Sequence, residues 1–174
     1  MKIKIENSLV TEALNYAKLS RSYTSDTHDF HEGGLNAKER KMFEGKLGEK
    51  GIKQFFLNNK IQFTEDKSSF KNADRYDFII YSKNNKFLVD VKTRTQTFHT
   101  RTLEMVKQMH SKEIDIYISV KLEKIISHYE IFILGWCSKK DFLKINRIEN
   151  NGYLDNFVLY DNELRNIKTL LKYI

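Results

Sequence analysis

Two apolar runs decide how this chain is read: Asp77-Phe78-Ile79-Ile80-Tyr81, and then, after the polar interval Ser82 to Lys86, Phe87-Leu88-Val89-Asp90-Val91-Lys92. Both are rich in β-branched and aromatic residues, and the polar segment between them predicts a turn, so together they read as a β-hairpin. Side chains two apart on a strand share a face, with Cα atoms roughly 6.6 Å apart. Asp90 and Lys92 therefore lie on one face with Leu88, and Phe87, Val89 and Val91 on the other. Asp77 stands where the first strand begins, and in a hairpin that point lies beside the end of the second. Two carboxylates and an ammonium are thus brought to one end of the hairpin. Charge placed in an apolar strand is costly unless it is paired or bound to a metal.

Upstream, a helix is predicted from Asn36 to about Asn58. Glu49, Ile52 and Phe56 fall at i, i+3 and i+7, which puts Glu49 on the apolar stripe. The ordinary alternative is a solvated Glu49 paired with Lys53 at i+4, and Glu44 is a weaker substitute. Gly45, Gly48 and Gly51 surround it. Each glycine weakens a helix by about 0.8–1 kcal/mol relative to alanine, so the cluster suggests close backbone approach, helix to sheet. An acid-x-Lys spacing alone is unspecific: Glu39-x-Lys41, Glu44-x-Lys46, Glu65-x-Lys67 and Asp90-x-Lys92 all match. Only the last sits in an apolar strand with a second acid at the start of its partner strand; Asp74 would replace Asp77 if that strand began earlier.

This residue set suits phosphoryl chemistry. Hard divalent cations take oxygen ligands, commonly one or two carboxylates plus waters. A metal so held acidifies water and stabilises phosphoryl charge, and a nearby lysine can orient that water or offset developing charge.

The run Gly48-Glu49, then Arg75-Tyr76-Asp77-Phe78-Ile79-Ile80, then Phe87 to Thr93 resembles the PD-(D/E)xK nuclease superfamily, which includes restriction endonucleases and archaeal Holliday-junction resolvases. Tyr76 stands where the family name has proline. The resemblance covers residues 45–93, with weaker topological agreement to about 136. It implies an α/β fold with a mixed central sheet flanked by helices, a restriction-endonuclease-like core, Mg²⁺ dependence with Mn²⁺ able to substitute, and phosphodiester hydrolysis. Glu49, Asp77, Asp90 and Lys92 would be catalytic, with Glu49, Asp77, Asp90 and Val91 at the metal. Thr93, Arg94 and Lys107 are candidates for nucleic-acid contact, and Gln108 for supporting the site. DNA is favoured over RNA as the substrate, and a homodimer is one arrangement that would cut two strands. The competing expectations are an inactive nucleic-acid-binding or assembly module of the same fold, and an RNA-directed nuclease.

The rest of the chain sets bounds. Its 174 residues fit one domain, divided here into an N-terminal helix and arm (1–36), a catalytic core (37–136) and a C-terminal extension (137–174). Net charge is +7, which favours polyanionic partners, although the abundance of Lys weakens that signal. There is no proline, and one cysteine, Cys137, excludes an intramolecular disulfide. No apolar run is long enough to span a membrane, and a cytoplasmic location is expected. The arm's His28-Asp29-Phe30-His31 has a metal-pair spacing, but no further ligands at useful distance accompany it. Further elements are expected as follows: a helix capped by Ser8, a strand at Ile61–Phe63, a helix at Leu103–His110, and strands at Ile114–Val120 and His128–Trp136. A short helix capped by Ser138, an edge strand at Phe157–Tyr160 and a last helix capped by Asp161 complete the chain.

Overall fold

The computed structural model describes residues 1–20, 34–66, 75–82, 85–150 and 154–174. The arm's Arg21, Tyr23, His28, Phe30 and His31, and Asp74, lie outside them. The fold is α/β, with a mixed six-stranded sheet in the order β1-β7-β6-β4-β3-β2 and a three-stranded sheet β5-β9-β8. The strands of the first are β1 (Lys2–Lys4), β2 (Phe63–Glu65), β3 (Phe78–Ser82), β4 (Asn85–Arg94), β6 (Ile116–Ile125) and β7 (His128–Ser138). Those of the second are β5 (Arg101–Met105), β8 (Ile148–Asn150) and β9 (Asp155–Tyr160). The helices are α1 (Asn7–Ser20), α2 (Gly34–Asn58), α3 (Val106–Ser111), α4 (Lys139–Ile145) and α5 (Ile167–Tyr173).

The hairpin forms as its pattern predicts. β3 pairs antiparallel with β4 from Phe78 opposite Val89 to Ser82 opposite Asn85. The ladder thus runs further than the apolar residues alone suggested, to Ser82 and Asn85. β4 pairs parallel with β6, from Val89 opposite Ile116 to Arg94 opposite Lys121. β6 is covered on both faces, so it is buried continuously from Ile116 to Val120. Its alternate residues feed two cores. Ile116, Ile118, Val120 and Leu122 join α1, α2 and α5 residues in the larger cluster. Tyr117 faces a smaller cluster with Met109, Cys137, Phe142, Phe157 and Leu159, beneath α3, α4 and the second sheet. Leu88 packs on the smaller cluster, whereas Phe87, Val89 and Val91 pack in or against the larger, so the two faces of β4 divide as period two requires.

α2 sits against the sheet where its glycines allow. A Cβ on Gly48 would lie 1.9 Å from Thr93 Oγ1, and one on Gly51 would lie 2.5 Å from Ile131 Cδ1. Ser138 caps α4 in a reciprocal capping box with Asp141.

Several expectations are corrected. Residues 101–105 are a strand, and the helix begins only at Val106, because β5 pairs along its length with β9. For the same reason β9 is the middle strand of the second sheet, not an edge. The strand expected at Ile61–Phe63 is displaced to Phe63–Glu65, where it pairs with β3. Asn166, not Asp161, caps the last helix, and Asp161 begins a short 3-10 turn. β1 was unexpected; it adds to the edge of β7. Among the described residues no helix is long and apolar enough to cross a membrane.

Candidate active site

β3 ends its pairing at Phe78, whereas β4 continues to Arg94, so residues 90–94 of β4 have no β3 partner. Asp77 fills the first vacancy. Its backbone N–H donates to Val89 O at 2.8 Å, and its Oδ2 accepts from Val91 N–H at 2.6 Å. A side chain thus replaces the missing strand partner, and the acid is fixed beside Asp90.

A cavity of about 310 Å³ opens at this place. Glu49, Asp77, Asp90, Val91 and Lys92 line it together with Leu103, Met105, Gln108, Lys112 and Asn156. Glu49 enters from α2, ion-paired with Lys46 at 2.8 Å. Lys53 serves elsewhere: it bridges Glu12 at 3.2 Å and Glu65 at 2.9 Å, so it is not the partner of Glu49.

Lys92 is gripped by two carboxylates. Its Nζ lies 2.8 Å from Asp90 Oδ2 and 2.5 Å from Glu104 Oε2. Burial works against the ammonium, yet these two charges outweigh it and push the Lys92 pKa up, so the side chain stays charged. Glu104 is 2% exposed. Burial raises its pKa, opposed by the attraction of Lys92 and aided by the repulsion of Asp90. Its Oε1 has no hydrogen-bond partner among the described residues. Sequence reasoning missed Glu104, because residues 103–110 carry a helix-like pattern and Glu104 follows Lys92 only after a polar loop.

Asp77 carries the clearest sign of crowding. Burial and then the charges of Glu49 and Asp90 push its pKa well above the ordinary aspartate value, despite the opposing charge of Lys46 and the Val91 hydrogen bond. Among the described residues no group of three or more His, Cys, Asp or Glu side chains is disposed as a ready-made metal cage. The donor set nevertheless fits a hard cation. Mg²⁺ is usually held by one or two carboxylates and keeps its remaining waters, and positive charge here would relieve the repulsion felt by Asp77.

Of the other candidates, Thr93, Arg94 and Lys107 are outside the cavity lining. Thr93 turns to α2, where it packs on Gly48 and its hydroxyl donates to Gly45 O at 3.4 Å. Arg94 makes a two-pronged ion pair with Asp161, at 2.9 and 2.5 Å. Lys107 is exposed on α3, outside the cavity lining. Gln108 does line the cavity. Cys137 is buried, and burial pushes its thiol pKa up, which disfavours the thiolate.

No protein-family model matches the chain, and no curated protein sequence does. Among solved structures, one similar to it is a nuclease from a fusselovirus, at 9% identity and a TM-score of 0.37, over 82% of this chain and 92% of that one. A TM-score of this size describes a loose correspondence of chain path.

Proposed function

We propose that this protein is a metal-dependent nuclease that hydrolyses phosphodiester bonds, with DNA ahead of RNA as its substrate. The observation that supports this reading is the convergence of Glu49, Asp77, Asp90 and Lys92 on one polar cavity at the open edge of β4. These are the positions through which the sequence resembles the PD-(D/E)xK superfamily.

Asp77 and Asp90 would hold Mg²⁺, or Mn²⁺ in its place, with Glu49 and the Val91 backbone beside them. When bound, such an ion acidifies a water and stabilises charge on phosphoryl oxygens. The chain supplies the remaining parts. Asp77 is held in place by Val91 N–H. Asp90 and Glu104 keep Lys92 charged and fixed, so its ammonium can offset the charge that develops on the phosphoryl group. The cavity is concave and polar on its acidic side, which admits a phosphodiester with its water.

The test compares wild type with Lys92→Ala on labelled duplex DNA, single-stranded DNA, a four-way junction and RNA, in Mg²⁺, Mn²⁺ or EDTA. Cleavage by wild type that disappears in EDTA, and falls by about 10²–10³ in Lys92→Ala, is the expected result. Two folded proteins that cleave none of the four would overturn the nuclease reading in favour of a binding module.

A further inference from the structure

We propose that Lys112 is a substrate-anchoring residue, whose ammonium binds a backbone phosphate of the nucleic acid in the cavity that Glu49, Asp77 and Asp90 also line. The proposal rests on the nuclease reading of the same cavity and names a contact that reading does not supply.

The cations around this site differ in how they are committed. Lys92 is held by Asp90 and Glu104, and Lys46 by Glu49. Arg94 is held by Asp161, and Arg101 by Glu149. Lys139 donates to the carbonyl of Lys112 at 2.8 Å. Lys112 lines the cavity, and among the described residues no carboxylate forms an ion pair with its ammonium. Its influence on Glu104 is through space only, a charge attraction that lowers the Glu104 pKa.

The backbone of Lys112 is fixed. It caps the C-terminus of α3, where its N–H donates to Gln108 O at 2.8 Å and its carbonyl takes the bond from Lys139. Gln108 and Lys112 are four residues apart, on one face of that turn, and both line the cavity. A half-buried ammonium set in a concave wall keeps its three donors for a ligand. Lysine serves phosphate as a compact point charge, and a nucleic acid supplies one negative charge per nucleotide. Lys92 is not available for this contact, because Asp90 and Glu104 hold its ammonium. At about 310 Å³ the cavity is at the small end of ligand sites, which suits a phosphate with its sugar rather than the width of a duplex.

The competing role is a counter-charge that merely offsets the acids. A counter-charge affects stability but contributes no phosphate contact, so the two roles part in the salt dependence of binding. Fluorescence anisotropy in EDTA, where no turnover occurs, measures binding of a labelled single-stranded oligonucleotide and its duplex over a series of KCl concentrations. The full chain is used as wild type, Lys112→Ala, Lys112→Arg and, as control, Lys124→Ala. Lys124 is exposed on β6, about 16 Å along the strand from Ser119. The expected result is several-fold weaker binding by Lys112→Ala, with the slope of log affinity against log salt reduced by about 0.9 for duplex or about 0.7 for single strand. Lys112→Arg should retain the slope and Lys124→Ala leave it unchanged. An unchanged slope in Lys112→Ala, or an equal change in Lys124→Ala, overturns the proposal, as does failure of wild type to bind either probe. Binding with the expected slope change, in a wild type that cleaves nothing in Mg²⁺, would sustain the Lys112 contact and remove the nuclease reading alone.

Discussion

Gly48 is the point at which helix packing meets the site, and adding one methyl group there has a calculable outcome. A Cβ at Gly48 would lie 1.9 Å from Thr93 Oγ1 and 2.9 Å from both Thr93 Cβ and Cγ2. Thr93 cannot relieve this by rotating, since its Cβ is part of the obstruction and a β-branched side chain has little χ1 freedom. Gly48→Ala gains about 1 kcal/mol of helix propensity and pays about 1–3 kcal/mol for overpacking. The net is a loss of up to about 2 kcal/mol. Gly45, one turn earlier, has nothing within 4 Å of its would-be Cβ. Gly45→Ala should therefore keep the whole gain of about 0.8–1 kcal/mol.

Because the helix term is common to both, the difference between the two variants isolates the steric contact at about 1–3 kcal/mol. Urea unfolding followed by circular dichroism gives both values, provided the m-values agree. Adding Thr93→Ala removes the hydroxyl and methyl from the crowded side, so the double variant should be more stable than the sum of the single changes. Glu49 follows Gly48 directly, so the steric variant should also lose the proposed cleavage while Gly45→Ala keeps it. A Gly48→Ala protein as stable as Gly45→Ala, with an unchanged m-value, would refute the close approach of α2 to β4.

Two predictions concern charge. Burial tends to raise the Glu65 pKa, but Lys50 and Lys53 overcome it and hold the group below the ordinary glutamate value. Its stabilising effect is therefore present above the unfolded-state pKa and lost as pH falls through the folded-state pKa. Glu65→Gln should cost about 1.5–3 kcal/mol at neutral pH and little in strong acid; an equal cost at both, by urea unfolding, would count against the ion pairs. Asp77 has the opposite sign: its pKa is raised, so its contribution is complete below the unfolded-state value and is lost as pH rises through the folded one. Asp77→Asn, which keeps an oxygen for Val91 N–H, should make the metal-free protein more stable at neutral pH with the gain vanishing in acid, and a less stable variant at neutral pH would contradict the crowding.

What the sequence made legible was local. Phe78 to Lys92 alternates with period two around a polar interval, so the hairpin and the shared face of Asp90 and Lys92 could be read directly. Glu49 on an apolar helix stripe, among glycines, could be read the same way. Pairing partners distant in the chain could not. β5 exists as a strand because β9, more than fifty residues later, supplies its hydrogen bonds, and nothing in Arg101 to Met105 distinguishes it from the start of a helix. Glu104 was hidden by that ambiguity. Thr93 is different, because the information was present: it alternates with Lys92 and so belongs to the Val89 and Val91 face, toward α2. Reading it as a phosphate contact weighed its adjacency to Lys92 above the pleat.

The organisation of the site follows from an unequal hairpin. A strand pair of matched length would satisfy Val91 N–H with backbone and leave no place for an acid. Here β3 stops early, and the hydrogen bond that the backbone no longer makes is made by the carboxylate of Asp77. Glu49 of α2 lines the cavity at this open edge, and the second sheet brings Glu104 to Lys92. The charged groups therefore come from several elements, Glu49 from α2, Asp77 from the start of β3, Asp90 and Lys92 from β4 and Glu104 from β5, and α2, β3 and β4 are packed into the larger core. Such packing is what the proposed cation site would require, since a hard cation would need its carboxylates held close together in advance.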